Sequence, residues 1–465
     1  MNGRPLIIAL VAALGFTTAC GSESKPAIAS GIGGVAGTGG AGAGAGGNPE
    51  GIGGSPAGTG GSGTGGGGTG GGGTGGGGTG GGHAGTGGNT PTLAVQFADT
   101  VIRRWPDPRN IADRTRGWDY NNGIVLRGML EVFKRTSDLR YLAYIKQYVD
   151  YFVDATGNLY TDAAQTKPIQ NQEHSLDLIQ PAILLLFLAE QYPEDTRYRT
   201  AATIVRDMFS RFPVNGEGGF WHKQTYPNEM WLDGIYMAEP FLAKYGAANA
   251  SCGAYCNDTP VTQATLLSGH VRLASGLLLH GWDWDGNAAW CGGACAGASG
   301  TGLAPEIWSR ALGWYAMALV DILDFLPAGH AGRPSLLSLL SGIAAGAKAT
   351  QDATTGLWCQ VVDKCAEAGN WTESSGSGML VYAIKTGVDR GDLDAGYLTM
   401  VQKAWQGLKD TKVGSDAIGP TINDAADGSS IQPSYASYLA IAKKINSYHG
   451  LCAIQLAAAA MEYGP

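Results

Sequence analysis

The sequence predicts an all-α fold, an (α/α)6 barrel of six helical hairpins, carried behind a Gly-rich N-terminal tether. Three observations point there. Six clusters of aromatic and polar residues each run directly into an apolar helix: WDYNNGIVLRGM from Trp118, HSLDLIQPAILLL from His174, MWLDGIYMAEPFL from Met230, WSRALGWYAMALV from Trp308, WTESSGSGMLVYAI from Trp371 and YHGLCAIQLAAAA from Tyr448. Their starts lie 56 to 78 residues apart, a spacing that suits a helical hairpin with loops. Amphipathic stretches alternate with these apolar helices, and strand signals are scarce. A helical solenoid is the rival arrangement; helices apolar on nearly every side, such as PAILLLFLA and GMLVYAI, favour a closed inner ring.

Residues 1–19 read as an export signal. A lone Arg4 precedes the apolar run LIIALVAALGF, then TTA leads to Cys20. Cys20 followed by Gly21 resembles a bacterial lipobox and is the expected lipidation site, although Thr17 stands where Leu is usual. The apolar run is shorter than the ~20 residues that a membrane span needs. Residues 20–90, including GTGGGGTGGGGTGG, supply much of the 75 glycines and bury no apolar area, so they read as a flexible linker. Residues 91–465 are the expected barrel domain, large enough for a substantial core.

Within that domain, LRYLAYIKQYVDYFVD from Leu139, TRYRTAATIVRDMFSRF from Thr196, VTQATLLSGHVRLASGLLL from Val261, RPSLLSLLSGIAAGAKA from Arg333 and GYLTMVQKAWQGLKD from Gly396 have one apolar face each. They are the expected outer ring. Gly123, Gly128, Gly234, Gly313, Gly376 and Gly378 lie on the inner helices, as close packing near an axis requires.

The net charge of −8 and the lack of a basic run argue against nucleic acid. An anionic ligand requires only a few cations in a pocket. Of the eight cysteines, Cys252/Cys256, Cys291/Cys295 and Cys359/Cys365 form close pairs, and an oxidising compartment makes each a disulfide candidate, leaving Cys452 free. With His270 and His280 between the first two pairs, a zinc site is the alternative, but the CxxxC spacing is wider than typical structural sites use.

The candidate chemistry sits at the heads of the inner helices. Asp177 and Asp233 occupy matching places in LDLIQP and WLDGIY. Alone, each reads as a helix cap. Together, beside Trp231 and Tyr236, they form an acid/base pair in which one pKa must rise. Arg310 between aromatic rings can fork onto a carboxylate or pack its stem on Trp308. His222 and Lys223 add donors or form a surface pair. The density of Trp and Tyr suits sugar rings.

These clusters resemble the unsaturated rhamnogalacturonyl and glucuronyl hydrolases, glycoside hydrolase family 105 and the related family 88. The resemblance rests on W.YNNG at Trp118, HSLDLIQPA, MWLDGIYMAEPF, HGWD at His280, WSRALGWYAMALVDIL, GLWCQVVD at Gly356 and NWTESSGSGMLVYAI. It implies an (α/α)6 barrel that removes a 4,5-unsaturated uronic acid from the non-reducing end of lyase-made oligosaccharides by protonating a vinyl ether. It implies Asp233 as the catalytic acid/base and Asp177 as its assistant. Tyr120, Lys223, Trp231, His280, Trp308 and Arg310 would line the substrate pocket, with His280 and Arg310 nearest the uronate. No metal or cofactor is needed, the partner is an acidic unsaturated oligosaccharide, and the membrane is met only through the lipid anchor. The tail PSYASYLAIAKKINSYHGL and the Cys-bearing loops depart from the family pattern. A non-catalytic glycan-binding lipoprotein, or another (α/α)6 glycosidase or polysaccharide lyase, is the alternative; the two Asp residues and Arg310 favour an enzyme. Nothing in the sequence specifies an oligomeric state.

Overall fold

A computed structural model describes residues 90–114, 117–291 and 302–464. The expected signal, Cys20, nearly all of the linker, and Cys295 lie outside the described residues.

Twelve of the helices form two concentric rings. The inner ring comprises α2 (Tyr120–Thr136), α4 (Ile183–Gln191), α6 (Leu232–Ala248), α8 (Ser309–Phe325), α10 (Ser374–Asp389) and α13 (Tyr448–Glu462). Each packs on the next, and α13 closes on α2, so the structure is a barrel rather than a solenoid. The outer helices are α1 (Leu93–Arg104), α3 (Leu139–Asp150), α5 (Arg197–Met208), α7 (Gly253–Val271), α9 (Arg333–Thr350) and α11 (Leu398–Thr411). A short helix, α12 (Tyr435–Leu439), lies between the last two hairpin arms. The hydrophobic core fills the space between the rings, with Trp118, Trp308, Trp314 and Trp358 almost wholly buried. The described helix α1 completes the sixth hairpin; its 12 residues were not among the amphipathic stretches singled out above.

The ring is tight where the sequence places small residues. A Cβ on Gly376 would lie 2.5 Å from the Ser309 backbone, and one on Gly123 would lie 2.2 Å from Gln180 Oε1. Small residues therefore let neighbouring inner helices approach. The inner element after His174 is not one helix. Two 3-10 turns, Leu176–Leu178 and Gln180–Ala182, precede α4. Pro181 disfavours helical backbone at Gln180, so the regular helix starts late and Asp177 sits in a turn instead of a helix head.

Strands are few but they position the site. β1 (Glu229–Trp231) pairs antiparallel with β2 (Gly281–Asp283), Trp231 opposite Gly281. β3 (Val413–Ser415) pairs with β4 (Pro420–Ile422), and β5 (Ala425–Ala426) with β6 (Lys443–Lys444). Disulfides join Cys252 to Cys256 and Cys359 to Cys365, Cys291 is also disulfide-bonded, and Cys452 is free and buried. The thiolates that a zinc site would use are thus consumed, His270 stacks on Trp282, and His280 serves elsewhere.

Candidate active site

The N-terminal ends of the inner helices meet at one rim. α2 begins with Asp119 accepting from Asn121 N, α10 with Glu373 accepting from Ser375 and Gly376 N, and α13 with Ser447 accepting from Gly450 N. The helices carrying Asp233 and Arg310 have no side-chain cap; Trp231 and Trp308 stand at their starts instead. The first N–H of each donates to backbone instead, Leu232 N to His280 O and Ser309 N to Gln360 O, while the positive dipole ends face the site.

Backbone pairing brings the charged residues together. Leu176 N donates to His222 O, and Ser175 pairs with Lys223, which sets Lys223 against Asp177. Lys223 Nζ lies 2.5 Å from Asp177 Oδ2. On the neighbouring helix, Leu232 N donates to His280 O at 3.0 Å, and His280 Nε2 stands 3.2 Å from Asp233 Oδ2. Behind it, His280 Nδ1 meets the Tyr438 hydroxyl at 2.7 Å. A Tyr438 hydroxyl donating to Nδ1 leaves the proton on Nε2, facing Asp233.

The electrostatics separate the two carboxyls. Burial raises Asp177, Lys223 partly offsets this, the Asp233 charge adds to it, and the carboxyl ends above its ordinary value. Burial also pushes Asp233 up, but the His280 contact and the Arg310 charge outweigh it, and Asp233 ends below its ordinary value. One carboxyl of the pair does rise, but it is Asp177 rather than the expected acid Asp233.

His222 and Lys223 are not a surface pair. His222 is buried, stacks on Trp231 at 4.2 Å, and is held near a pKa of about 3, first by burial and then by Lys223, so it is neutral. Tyr226 stacks near the same indole at 4.7 Å, and Trp231 Nε1 donates to Glu229 Oε2. Glu229 Oε2 also accepts from Trp290 Nε1 at 2.8 Å, so the Cys-bearing loop reaches the site through one shared carboxylate.

Arg310 is 1% exposed and lies over the Trp308 ring at 4.2 Å. Its guanidinium donates to Ala426 O and Asp427 O, so the fork expected for a ligand carboxylate is held by backbone carbonyls instead. Trp308 Nε1 is buried with no acceptor among the described residues. Tyr120 faces His449 at 3.3 Å and Tyr448 edge-on at 6.2 Å.

Sequence reasoning missed Tyr438, Glu229 and Glu373. Glu373 is wholly buried and accepts from Ser375, Gly376, Ser309 and Ala426 N. It thereby ties α10 to α8 and to the strand whose carbonyls hold Arg310. Asp233 and Asp177, flanked by an imidazole, a guanidinium and stacked rings, are two buried carboxyls in unlike surroundings, the arrangement that acid–base chemistry uses.

Comparisons with known proteins place the chain in a family. The chain is 39% identical over 153 residues to Protein Atu3128 of Agrobacterium fabrum, covering 31% of this chain and 61% of that protein. It is 22% identical over 329 residues to the unsaturated rhamnogalacturonyl hydrolase YesR of Bacillus subtilis, covering 67% of this chain and 82% of that protein. A family 105 glycoside hydrolase structure from C. acetobutylicum ATCC 824 superposes with a TM-score of 0.71 at 28% identity, over 80% of this chain and 99% of that one. Residues 93–463 match the family model of Glycosyl Hydrolase Family 88, and the chain belongs to that family of glycoside hydrolases.

Proposed function

We propose that the protein removes a 4,5-unsaturated uronic acid from the non-reducing end of lyase-made oligosaccharides, with unsaturated galacturonyl-rhamnose as the leading substrate. The observation that carries this reading is the pairing of Asp233 with His280 beside Asp177 and Arg310, within a family 88 barrel. The likeness to YesR, an unsaturated rhamnogalacturonyl hydrolase, supports the choice of substrate.

In this reading the Asp233 carboxyl gives its proton to carbon 4 of the vinyl ether. The positive charge that develops at carbon 5 is shared with the ring oxygen. Water adds at carbon 5 while the Asp233 carboxylate takes up a proton. The resulting hemiketal opens, and the chain beyond carbon 1 leaves. His280 lies against Asp233 and the Arg310 charge acts on the same carboxyl, so both set the field into which an anionic sugar arrives, while Trp231, stacked between His222 and Tyr226, holds the start of the helix that carries Asp233. The arriving uronate adds negative charge and excludes water, both of which raise the Asp233 pKa from its low resting position.

The test is the loss of ultraviolet absorbance from an unsaturated galacturonyl-rhamnose disaccharide. Asp233→Asn keeps the shape but not the transferable proton and is expected to lower kcat at least ~10²-fold. Wild-type binding without any absorbance loss would mark a binding protein, and an Asp233→Asn variant with unchanged kcat would remove Asp233 from the acid role.

A further inference from the structure

Beside the rim lies a second cleft of about 210 Å³, bordered by Arg104, Trp105, Arg114, Asp427, Lys444 and Tyr448. It adjoins the dyad through two of these residues. Tyr448 packs against Tyr120, and the Asp427 carbonyl receives Arg310 Nη2 at 2.6 Å. Asp113 also borders the cleft; its carboxylate accepts from the neutral Trp105 Nε1 at 2.8 Å and stands as an anion that the cations of the cleft must outweigh. Arg104 is neutralised by Asp416 at 2.7 Å. Lys444 is only loosely paired with Asp427 at 3.4 Å, with its side chain 45% exposed. Arg114 is exposed and forms no ion pair among the described residues. Among the described residues the cleft therefore offers one cation without an ion-pair partner, Arg114, and one weakly held, Lys444, facing the Asp113 carboxylate, with the Tyr448 ring at its inner edge.

We propose that this cleft is a subsite for an anionic sugar further along the released chain, a carboxylate- or sulfate-bearing unit beyond the residue that neighbours the unsaturated uronate. The inference rests on the proposed function and narrows its substrate class to oligosaccharides with at least one further acidic unit. A mobile cation meeting an anionic group gains a charge-assisted hydrogen bond without first breaking a buried pair. The neutral aglycone of an unsaturated disaccharide carries no anion for these cations to bind.

The experiment compares kcat/KM on an unsaturated disaccharide with a neutral aglycone against longer unsaturated oligosaccharides, one set carrying a uronate and one a sulfate. Wild-type protein is expected to favour a longer anionic substrate, with the preference shrinking as salt is raised. Arg114→Ala and Lys444→Ala are each expected to lower kcat/KM on that substrate about threefold, and the double variant about tenfold, with the disaccharide unaffected. The uronate and sulfate sets tell which anion is taken. Equal losses on disaccharide and longer substrate, or no loss on either, would overturn the subsite while leaving the hydrolase reading intact. No turnover of any unsaturated substrate by wild-type protein would overturn the hydrolase reading itself.

Discussion

The surroundings of Asp233 hold its carboxyl below the ordinary value, yet the chemistry proposed for it needs a proton. The two facts are reconciled by what surrounds it. His280 Nε2 and Arg310 hold its pKa down. An anionic substrate competes for those same groups and raises it. The protonated form is therefore scarcer in free enzyme than in the complex. Activity should fall as pH rises through the Asp233 pKa, and this basic limb should lie at lower pH in kcat/KM than in kcat. Asp177→Asn removes a neighbouring negative charge and leaves Lys223 unpaired. Both changes favour the Asp233 anion, so the basic limb of both profiles should move to lower pH. Profiles measured between pH 4 and 8 check both statements; a limb that moves to higher pH in the variant would contradict this account of the dyad.

At the scale of elements, the inner helices were legible because they are apolar nearly all round, while the outer ones each show a single apolar face. The repeated position of Asp177 and Asp233 was legible for the same reason. What the sequence hid are contacts between distant segments. Tyr438 lies 158 residues from the His280 ring that it orients, and the Ala426 amide lies 53 residues from the Glu373 carboxylate that receives it. No periodicity encodes such pairs. Nor did the sequence single out Glu239, which sits on α6 just before Pro240, 1% exposed and with Oε2 unpartnered. Burial pushes its pKa up to about 8. Tyr255 on α7 is the titratable neighbour that senses its charge. A carboxyl raised this way leaves stability intact below its unfolded value near 4.5 and lowers stability as pH climbs toward about 8. Glu239→Gln should raise Tm at pH 8 and leave it nearly unchanged at pH 4, as thermal unfolding at the two pH values would show.

At the scale of the whole molecule, the barrel is held together across its axis as well as around its ring. Arg127 on α2 pairs with Glu131 on the same helix and, at 3.2 Å, with Asp321 on α8, the helix opposite it in the ring. Tyr382 on α10 donates to Asp321 at 2.9 Å, and Lys134 reaches Glu131 at 2.9 Å. These groups lie farther along the inner helices than the dyad, so one end of the axis is committed to stability and the other to chemistry. Burial alone would raise Glu131, but Arg127 and then Lys134 outweigh it and bring its pKa to about 2. A carboxylate lowered in this way adds stability above its unfolded value near 4.5, and that stability is lost as pH falls toward about 2. Arg127→Met should leave two buried carboxylates without their shared cation and cost ~3–5 kcal/mol at pH 7. The same change should flatten the loss of Tm between pH 5 and pH 2, because Glu131 would keep only Lys134, whose side chain is 43% exposed. Calorimetry of wild-type and variant protein across that range checks both parts. A variant as stable as wild type at pH 7, with the acid slope unchanged, would mean that ring closure between α13 and α2 holds the barrel without help from its axis.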